Sequence, residues 1–310
     1  MSIRLGLALP VQKTFSIGRD IPAVAKAAEQ IGYDSLWAGE RVLVPESPVD
    51  GLFGVPGLPW FDFYRSNADP LVALTLAAAA TERVQLGTSV LVAGLHQPLQ
   101  LARALATLDN ASGGRVIAGL GTGWSRDEYE AAGVVPFERR GAALDETLDV
   151  CATVWGPDPV SHSGTLSAIA PSEVGPKPAR PIPVLLAGSN PASFGRIVDH
   201  ADGWIPVATD PEFLAGQWKQ LQALAAEHGR RRPIGLSLVT SVTITPGRAD
   251  ESSRQPFQGS LEQVTRDAIR FTRAVPATDL AMSLSGSLTN AGQLIDIAGT
   301  LHASLRAAGL

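Results

Sequence analysis

Three alternating glycines stand near the middle of the chain, where a ligand could approach the backbone closely. Gly119, Gly121 and Gly123 end the apolar run Arg115–Leu120 and precede Ser125–Glu128, which is typical of a helix start. Because glycine has no Cβ, the main chain can turn sharply here and expose its N–H groups to a flat or phosphorylated ligand. The dinucleotide fingerprint has a different spacing and belongs to the first strand–helix unit, so a Rossmann site is not favoured. A tight turn without a ligand is the alternative interpretation.

Two side chains elsewhere could move a proton or hold an anion. His96 could act as the proton donor, because histidine titrates near neutrality without special tuning; a solvent-facing loop histidine is the alternative. Arg41 could bind a carboxylate or an anionic ring through its two-pronged guanidinium. We expect no metal site, because the five histidines lack the H-x-H and H-E-x-x-H spacings.

Composition limits the class of protein. The 310 residues are 45% hydrophobic with a net charge of -5, which permits a large core but gives no general basic surface for nucleic acid or membranes. The only cysteine, Cys151, excludes an intramolecular disulfide and is expected to be a buried thiol. Met1–Pro10 does not read as a signal peptide and Leu71–Ala80 is too short to span a membrane. We therefore expect a cytoplasmic protein that acts on a small molecule.

Apolar strand-like runs alternate with helical patterns along the whole chain. About eight strand–helix units result, which predicts one α/β domain over residues 1–310, a (β/α)8 TIM barrel, with a doubly wound sheet as the second choice. The predicted strands are Ile3–Leu9, Asp34–Ala38, Val84–Val92, Arg115–Leu120, Ile182–Ala187, Gly203–Pro206, Ile234–Thr245 and Asp279–Ser283. The predicted helices are Ile21–Ile31, Pro70–Thr81, Leu99–Ala111, Gly141–Trp155, Pro191–Ala201, Glu212–His228, Leu261–Ala274 and Ala291–Ala308.

Two long loops interrupt this alternation. Arg41–Ala68, after the second strand, contains the aromatic run Trp60–Tyr64. It is either a lid whose rings wall a pocket, or a loop that its rings pin to the barrel rim. Gly156–Pro181 lies between units four and five and is expected to cover the barrel there.

Four segments in order resemble the bacterial luciferase-like monooxygenase superfamily, and within it the branch of oxidoreductases that depend on the deazaflavin coenzyme F420. The resemblance extends over nearly the whole chain. The segments are Gly32–Trp37, Glu82–Val90, Ala106–Trp124 and Ala201–Trp204.

The resemblance implies a cofactor site at the end of the third strand. A non-proline cis peptide is expected at Ser89–Val90, in a bulge that supports the back of the cofactor ring. Gly121, Thr122, Gly123 and Trp124 are expected to flank the ring or its ribityl chain, and Ala187, Gly188 and Ser189 to lie near its side chain and phosphate. Without a ligand, Thr88–Val90 is an ordinary strand end, and Ser189–Pro191 caps a helix.

The resemblance also bears on the proton-transfer groups. Relatives have an acid followed by histidine after the second strand; Glu40 fits this pattern and Arg41 departs from it. The glutamate that follows the glycine turn in sugar-phosphate dehydrogenases of the family is Trp124 here, so glucose 6-phosphate is not the expected substrate. The candidate catalytic residues are Glu40, Arg41 and His96.

The expected activity is hydride transfer between F420 and a small, largely apolar organic substrate. An FMN-dependent monooxygenase and a non-catalytic flavin-binding barrel are the alternatives. Lys177, Arg180 and Arg196 are candidates to hold the anionic tail of the cofactor. The resemblance further implies a homodimer formed through early helices such as Leu71–Ala80.

Overall fold

Eight parallel strands close into a barrel, which confirms the predicted TIM-barrel fold. Each strand pairs with its neighbours in sequence, and the first pairs with the last. The strands are β1 (Arg4–Ala8), β2 (Ser35–Ala38), β3 (Gln85–Thr88), β4 (Val116–Gly121), β5 (Val184–Ala187), β6 (Gly203–Ile205), β7 (Gly235–Ser241) and β8 (Asp279–Ser283). This computed structural model describes residues 3–12, 14–207, 210–284, 286 and 288–310.

Helices surround the barrel. The first begins four residues earlier than predicted, because the carboxylate of Asp20 accepts the N–H of Ser16 at 2.8 Å and so supports an extra turn. None of the helices in the described ranges is long and apolar enough to cross a membrane. The helices are α1 (Ile17–Ile31), α2 (Pro70–Ala80), α3 (Pro98–Ser112), α4 (Arg126–Ala132), α5 (Arg140–Trp155), α6 (Pro191–His200), α7 (Pro211–Glu227), α8 (Leu261–Ala274) and α9 (Ala291–Ala307).

The barrel interior is a packed core. Alternate residues of each strand point inward, and the fully buried Trp37 lies there with Ile117, Leu185 and Ile205. The intervening residues, such as Leu36, pack outward against the helices. Because the interior is filled, a ligand can reach the barrel only at its open ends, and the long loops after β2 make the carboxyl end the candidate.

The insertion after α5 lies between units four and five, as predicted, and covers the outside of the barrel there rather than its carboxyl end, which we call the mouth. Because α5 descends to the amino end of the barrel, the insertion begins there. It forms an antiparallel hairpin, Val160–Ser163 with Ala168–Ser172, on the outside of α3 and α5. The carboxylate of Glu146 in α5 accepts the N–H groups at the hairpin tip.

Cys151 lies in α5 and is buried, as predicted. Burial raises the pKa of its thiol to about 12, because the thiolate would have to form in an apolar environment. This cysteine is therefore a core residue and not a nucleophile.

Candidate active site

The chain bends sharply where β3 ends. The peptide bond between Ser89 and Val90 is cis, so the prediction at this position is confirmed. Thr88 ties the bend to β4, because its hydroxyl donates to the carbonyl of Gly119 and accepts the N–H of the same residue, both at 2.8 Å. The bend is thus fixed by the adjacent strand.

The glycine run makes room for this bent chain. The sharp turn is present, since Gly123 has a φ of 65°. The side on which a Cβ would point faces protein at all three glycines. Cβ atoms would lie 1.8 Å from the carbonyl oxygen of Thr88 at Gly119, 3.0 Å from Cγ2 of Val90 at Gly121, and 2.6 Å from Cγ1 of Val92 at Gly123.

A buried carboxylate joins the bend to the candidate proton donor. Glu40 follows β2, and its Oε2 accepts the N–H of Val92 at 2.7 Å, two residues beyond the cis peptide. Its Oε1 lies 2.8 Å from Nε2 of His96. The structure therefore brings two of the three predicted catalytic residues into direct contact.

His96 is not the solvent-facing histidine of the alternative interpretation, because only 25% of its side chain is exposed. Burial acts to lower the pKa of His96. The hydrogen bond that His96 makes to Glu40 and the negative charge of Glu40 outweigh burial, so the pKa of His96 is raised. Since a carboxylate only accepts, Nε2 carries the shared hydrogen. Among the described residues no atom is hydrogen-bonded to Nδ1, which leaves Nδ1 as the nitrogen that can exchange a proton.

Arg41, the third predicted catalytic residue, pairs with a different carboxylate. Its NH1 lies 3.1 Å from Oε2 of Glu128, and the two side chains are 10% and 2% exposed. The contact lacks the geometry of a hydrogen bond, so NH1 has no hydrogen-bond partner among the described residues. Oε1 of Glu128 accepts the N–H of Val42 at 2.8 Å. Burial raises the pKa of Glu128 against the opposing effect of Arg41.

Residues 41–68, called the lid from here on, cover the side of the mouth between β4 and β8. Trp60 packs on Trp124 with ring centroids 4.6 Å apart, and Trp124 belongs to the turn after β4. At the other end, Phe63 packs beside Gly286, which follows β8. The rings of the lid thus attach it to the rim at both ends.

Three apolar side chains form the base of the mouth. Val90 of the bend, Ala187 at the end of β5 and Val239 of β7 are partly buried and pack on the interior core below them. We call these three residues the floor. A planar apolar group could lie on them with water excluded from one face.

Two buried polar atoms beyond β5 lack partners. Oγ of Ser189, after β5, and Oε1 of Gln217, in α7, have no hydrogen-bond partner among the described residues. Nε2 of Gln217 donates to the carbonyl of Ser189 at 3.2 Å, so the two residues are neighbours. Asn190 caps α6 by accepting the N–H of Ser193 at 2.9 Å, and this part of the prediction is confirmed.

Two of the three cations proposed for the anionic tail of the cofactor, Lys177 and Arg180, lie at the opposite end of the barrel, so the prediction is wrong for these two. Lys177 donates to Asp158 and to the carbonyl at the end of α5, at the opposite end of the barrel. Arg180 lies beside Gly114, before β4, at the same end. Arg196 is bound through two nitrogens to Asp145, between α5 and α6.

Sequence reasoning missed Glu128. The pattern from Ser125 to Glu128 indicated a helix start, and the hydroxyl of Ser125 does accept the N–H of Glu128 at 3.3 Å. The side chain of Glu128 points to Arg41 and not back to the cap. A polar position on a short helix gives no signal that its carboxylate will be buried against a loop distant in sequence.

The fold, the bend and the mouth define a class of protein. The profile of the luciferase-like monooxygenase family matches residues 9–294, and the chain belongs to this family. An uncharacterised protein of Mycobacterium tuberculosis is 34% identical over 231 residues, 72% of this chain and 79% of that protein.

The names of several relatives refer to redox cofactors. The F420-dependent glucose-6-phosphate dehydrogenase of Amycolatopsis mediterranei is 30% identical over 190 residues, 60% of this chain and 53% of that enzyme. An F420-dependent secondary alcohol dehydrogenase has a similar structure, with a TM-score of 0.77 and 17% identity over 99% of this chain and 100% of that one. A riboflavin lyase with modified FMN has a TM-score of 0.75 and 16% identity over 100% and 92% of the two chains.

Proposed function

We propose that the protein is an oxidoreductase that transfers a hydride between F420 and a small, largely apolar organic substrate. The observation that carries the proposal is the contact between Glu40 and His96 beside the cis bend at Ser89–Val90. This contact supports the proposal because Glu40 joins a group that can exchange a proton to Val92, two residues beyond Val90 of the floor. F420-dependent relatives favour the deazaflavin over FMN.

The residues at the mouth fit this cofactor. The ring would lie on the floor, and the unpartnered Ser189 oxygen and Gln217 oxygen offer polar atoms for its side chain. When bound, the deazaflavin supplies two electrons as a hydride. The residues that would hold it are Ser89, Val90, Gly121, Thr122, Gly123, Trp124, Ala187, Gly188 and Ser189.

His96 exchanges the proton that accompanies the hydride. Glu40 fixes the ring of His96 by holding Nε2, so Nδ1 gives or takes the proton at the substrate. Arg41 is a candidate to contact an anionic group through its guanidinium, whose charge faces Glu128 at 3.1 Å. We do not propose glucose 6-phosphate as the substrate, because Arg41 and Trp124 stand at the two positions where the dehydrogenases carry histidine and glutamate.

Turnover with reduced F420 tests the proposal. Purified protein is mixed without oxygen with reduced F420 and a panel of aldehydes, ketones and enones, and cofactor oxidation is followed by absorbance. We expect oxidation that depends on substrate, that is lost in His96→Asn and that is retained in His200→Asn, an exposed histidine of α6. Turnover only with FMN and oxygen would contradict the proposal and favour a monooxygenase. Cofactor binding without turnover on any substrate would favour a non-catalytic barrel.

We also infer that two copies of the chain associate through α2. This helix is apolar on all sides, and Val72 on its outer face is 53% exposed. Val72→Asp should reduce the mass measured by light scattering from that of a dimer to that of a monomer. Phe213→Asp, at an exposed apolar position of α7, should leave the dimer intact. A monomer mass for the unmodified protein would contradict this inference.

A further inference from the structure

We propose that Glu128 is a positioning residue that, acting through Arg41, holds the lid closed over its side of the mouth. Glu128 lies on α4, outside the lid, and both of its carboxylate oxygens contact the lid. Oε1 accepts the N–H of Val42 at 2.8 Å and Oε2 faces NH1 of Arg41 at 3.1 Å. One buried side chain thus fixes both the main chain and a charged side chain at the start of the lid.

The guanidinium of Arg41 lies among three aromatic rings. It is 4.9 Å from the ring centroid of Trp124 and 5.8 Å from those of Trp60 and Tyr64. Trp60 and Tyr64 belong to the lid, whereas Trp124 belongs to the turn after β4. The cation attracts rings of the lid and a ring of the turn after β4. Its position therefore determines whether the lid packs on that turn. We call Glu128, Arg41 and these three rings the latch.

Other contacts between α4 and the lid are weaker. The N–H of Val49 donates to Asp127 at 3.0 Å and the N–H of Arg126 donates to Asp50 at 2.9 Å. Both bonds are exposed to water, which can replace either partner. The ion pair of Glu128 is buried, and a buried ion pair that loses one partner leaves the other charge uncompensated. The latch therefore depends on the charge of Glu128 more than on these exposed bonds.

This inference rests on the proposed function, because it assumes that the substrate reaches the floor and His96 through the mouth. Among the described residues, no hydrogen bond, ion pair or ring contact joins the latch to the floor or to the side chain of His96. Arg41 reaches Glu40 only at its main chain, where Nε donates to the carbonyl of Glu40 at 2.7 Å. Loss of the latch should therefore alter entry and release of substrate while leaving the proton-transfer pair in place. The expected signature is a change in KM, or in a kcat limited by release, together with a more accessible lid.

Limited proteolysis of the full-length protein tests the latch directly. Glu128→Gln keeps an oxygen that can accept the N–H of Val42 but removes the charge opposite Arg41. Chymotrypsin cleavage after the exposed Phe53 and Phe61 reports lid opening. We expect cleavage within the lid to rise about tenfold in this variant, and cleavage elsewhere to remain unchanged.

Two further variants separate the latch from general destabilisation. Arg41→Lys keeps the positive charge beside Glu128, so this variant should retain most of the protection of the lid from cleavage. Glu138→Gln removes an exposed acid that pairs with Arg126, and this variant should be cleaved at the same rate as the unmodified protein. If Glu128→Gln does not fold, Trp60→Leu decides instead, because it removes one lid ring and leaves both charges.

Each outcome is decisive. Unchanged lid cleavage in the folded Glu128→Gln variant would overturn the proposal, as would an equal rise in Glu138→Gln. In the substitute experiment, unchanged cleavage in Trp60→Leu would overturn it. Because proteolysis needs no cofactor, failure to bind F420 would contradict the proposed function while leaving the proteolysis result to decide the latch.

Discussion

The floor and the lid are each bordered by a buried carboxylate, but the partners of these two acids differ in chemistry. Beside the floor, Glu40 holds His96, which can gain or lose a proton near neutral pH. Beside the lid, Glu128 faces the guanidinium of Arg41, and arginine is not a proton-exchanging side chain. The same type of side chain therefore supports proton exchange in one region and a fixed attachment in the other.

The two regions also differ in how they are held. The bend is enclosed by the main chain of β4, with no space for one added carbon at Gly119. The lid is attached through side chains on its surface and on α4. Changes at the floor should therefore abolish chemistry or folding, and changes at the lid should alter access.

The largest expected effect is on the chemistry at the floor. His96→Asn removes the nitrogen that exchanges the proton, and it should lower kcat by about 10²–10⁴-fold, the range that general acid–base catalysis contributes. Steady-state turnover with reduced F420 measures this loss. An equal loss of kcat in Arg41→Lys would contradict the distinction between the Glu40–His96 pair and the Glu128–Arg41 pair.

A methyl group at the bend should produce the next largest effect. Gly119→Ala places a Cβ 1.8 Å from the carbonyl oxygen of Thr88 and should lower the free energy of unfolding by about 3 kcal/mol or more, as expected for overpacking against main chain. Gly216→Ala is the matched control, because its Cβ meets no atom within 4 Å in α7. The control should raise the free energy of unfolding by about 0.5–1 kcal/mol. Urea denaturation compares the two, and a mild effect at Gly119 would show that the bend can shift.

The pH dependence of stability should report the Glu40–His96 pair. Because the pKa of His96 is raised in the folded state, the pair contributes fully below about pH 6.5, the pKa of an unfolded histidine. The contribution is lost as the pH rises through the folded-state pKa, by about 1 kcal/mol for one charge-assisted hydrogen bond. In Glu40→Gln this loss should be absent, because the charge that favours protonated His96 is gone. Equal pH profiles for the two proteins would contradict the pairing.

The smallest effect should come from the lid. Trp60→Leu removes one ring from the cation of Arg41 and should lower the free energy of unfolding by about 1 kcal/mol. Its kinetic effect should fall mainly on KM, because Glu40 and His96 are untouched. A kcat as low as that of His96→Asn would show that the lid takes part in the chemistry.

The barrel could be predicted from sequence because its signal is local. Alternating apolar runs and helical patterns define each unit, and eight of them in order leave few ways to close a sheet. The cis peptide at Ser89–Val90 was found by resemblance, since β-branched residues there also fit an ordinary strand. The spacing of the three glycines also matches the bent neighbouring chain, because their missing Cβ atoms make room for Thr88, Val90 and Val92.

The rest of the site depends on contacts between distant segments. Glu128 meets Arg41 only because α4 packs against the start of the lid. Val42, which donates its N–H to Glu128, lies 86 residues earlier in the chain. Lys177 and Arg180 are predicted at the mouth from their position in the chain alone, whereas the descent of α5 puts them at the opposite end. Charge patterns in sequence do not specify which end of a barrel a loop occupies.

The most direct test of the central claim is a parallel titration of the unmodified protein with oxidised F420 and with FMN, followed by cofactor fluorescence. The account predicts saturable binding of F420 to one site per chain, weakened when Val90 of the floor is replaced by aspartate, and much weaker binding of FMN. Saturable binding of FMN with none of F420, or F420 binding that Val90→Asp leaves unchanged, would contradict it.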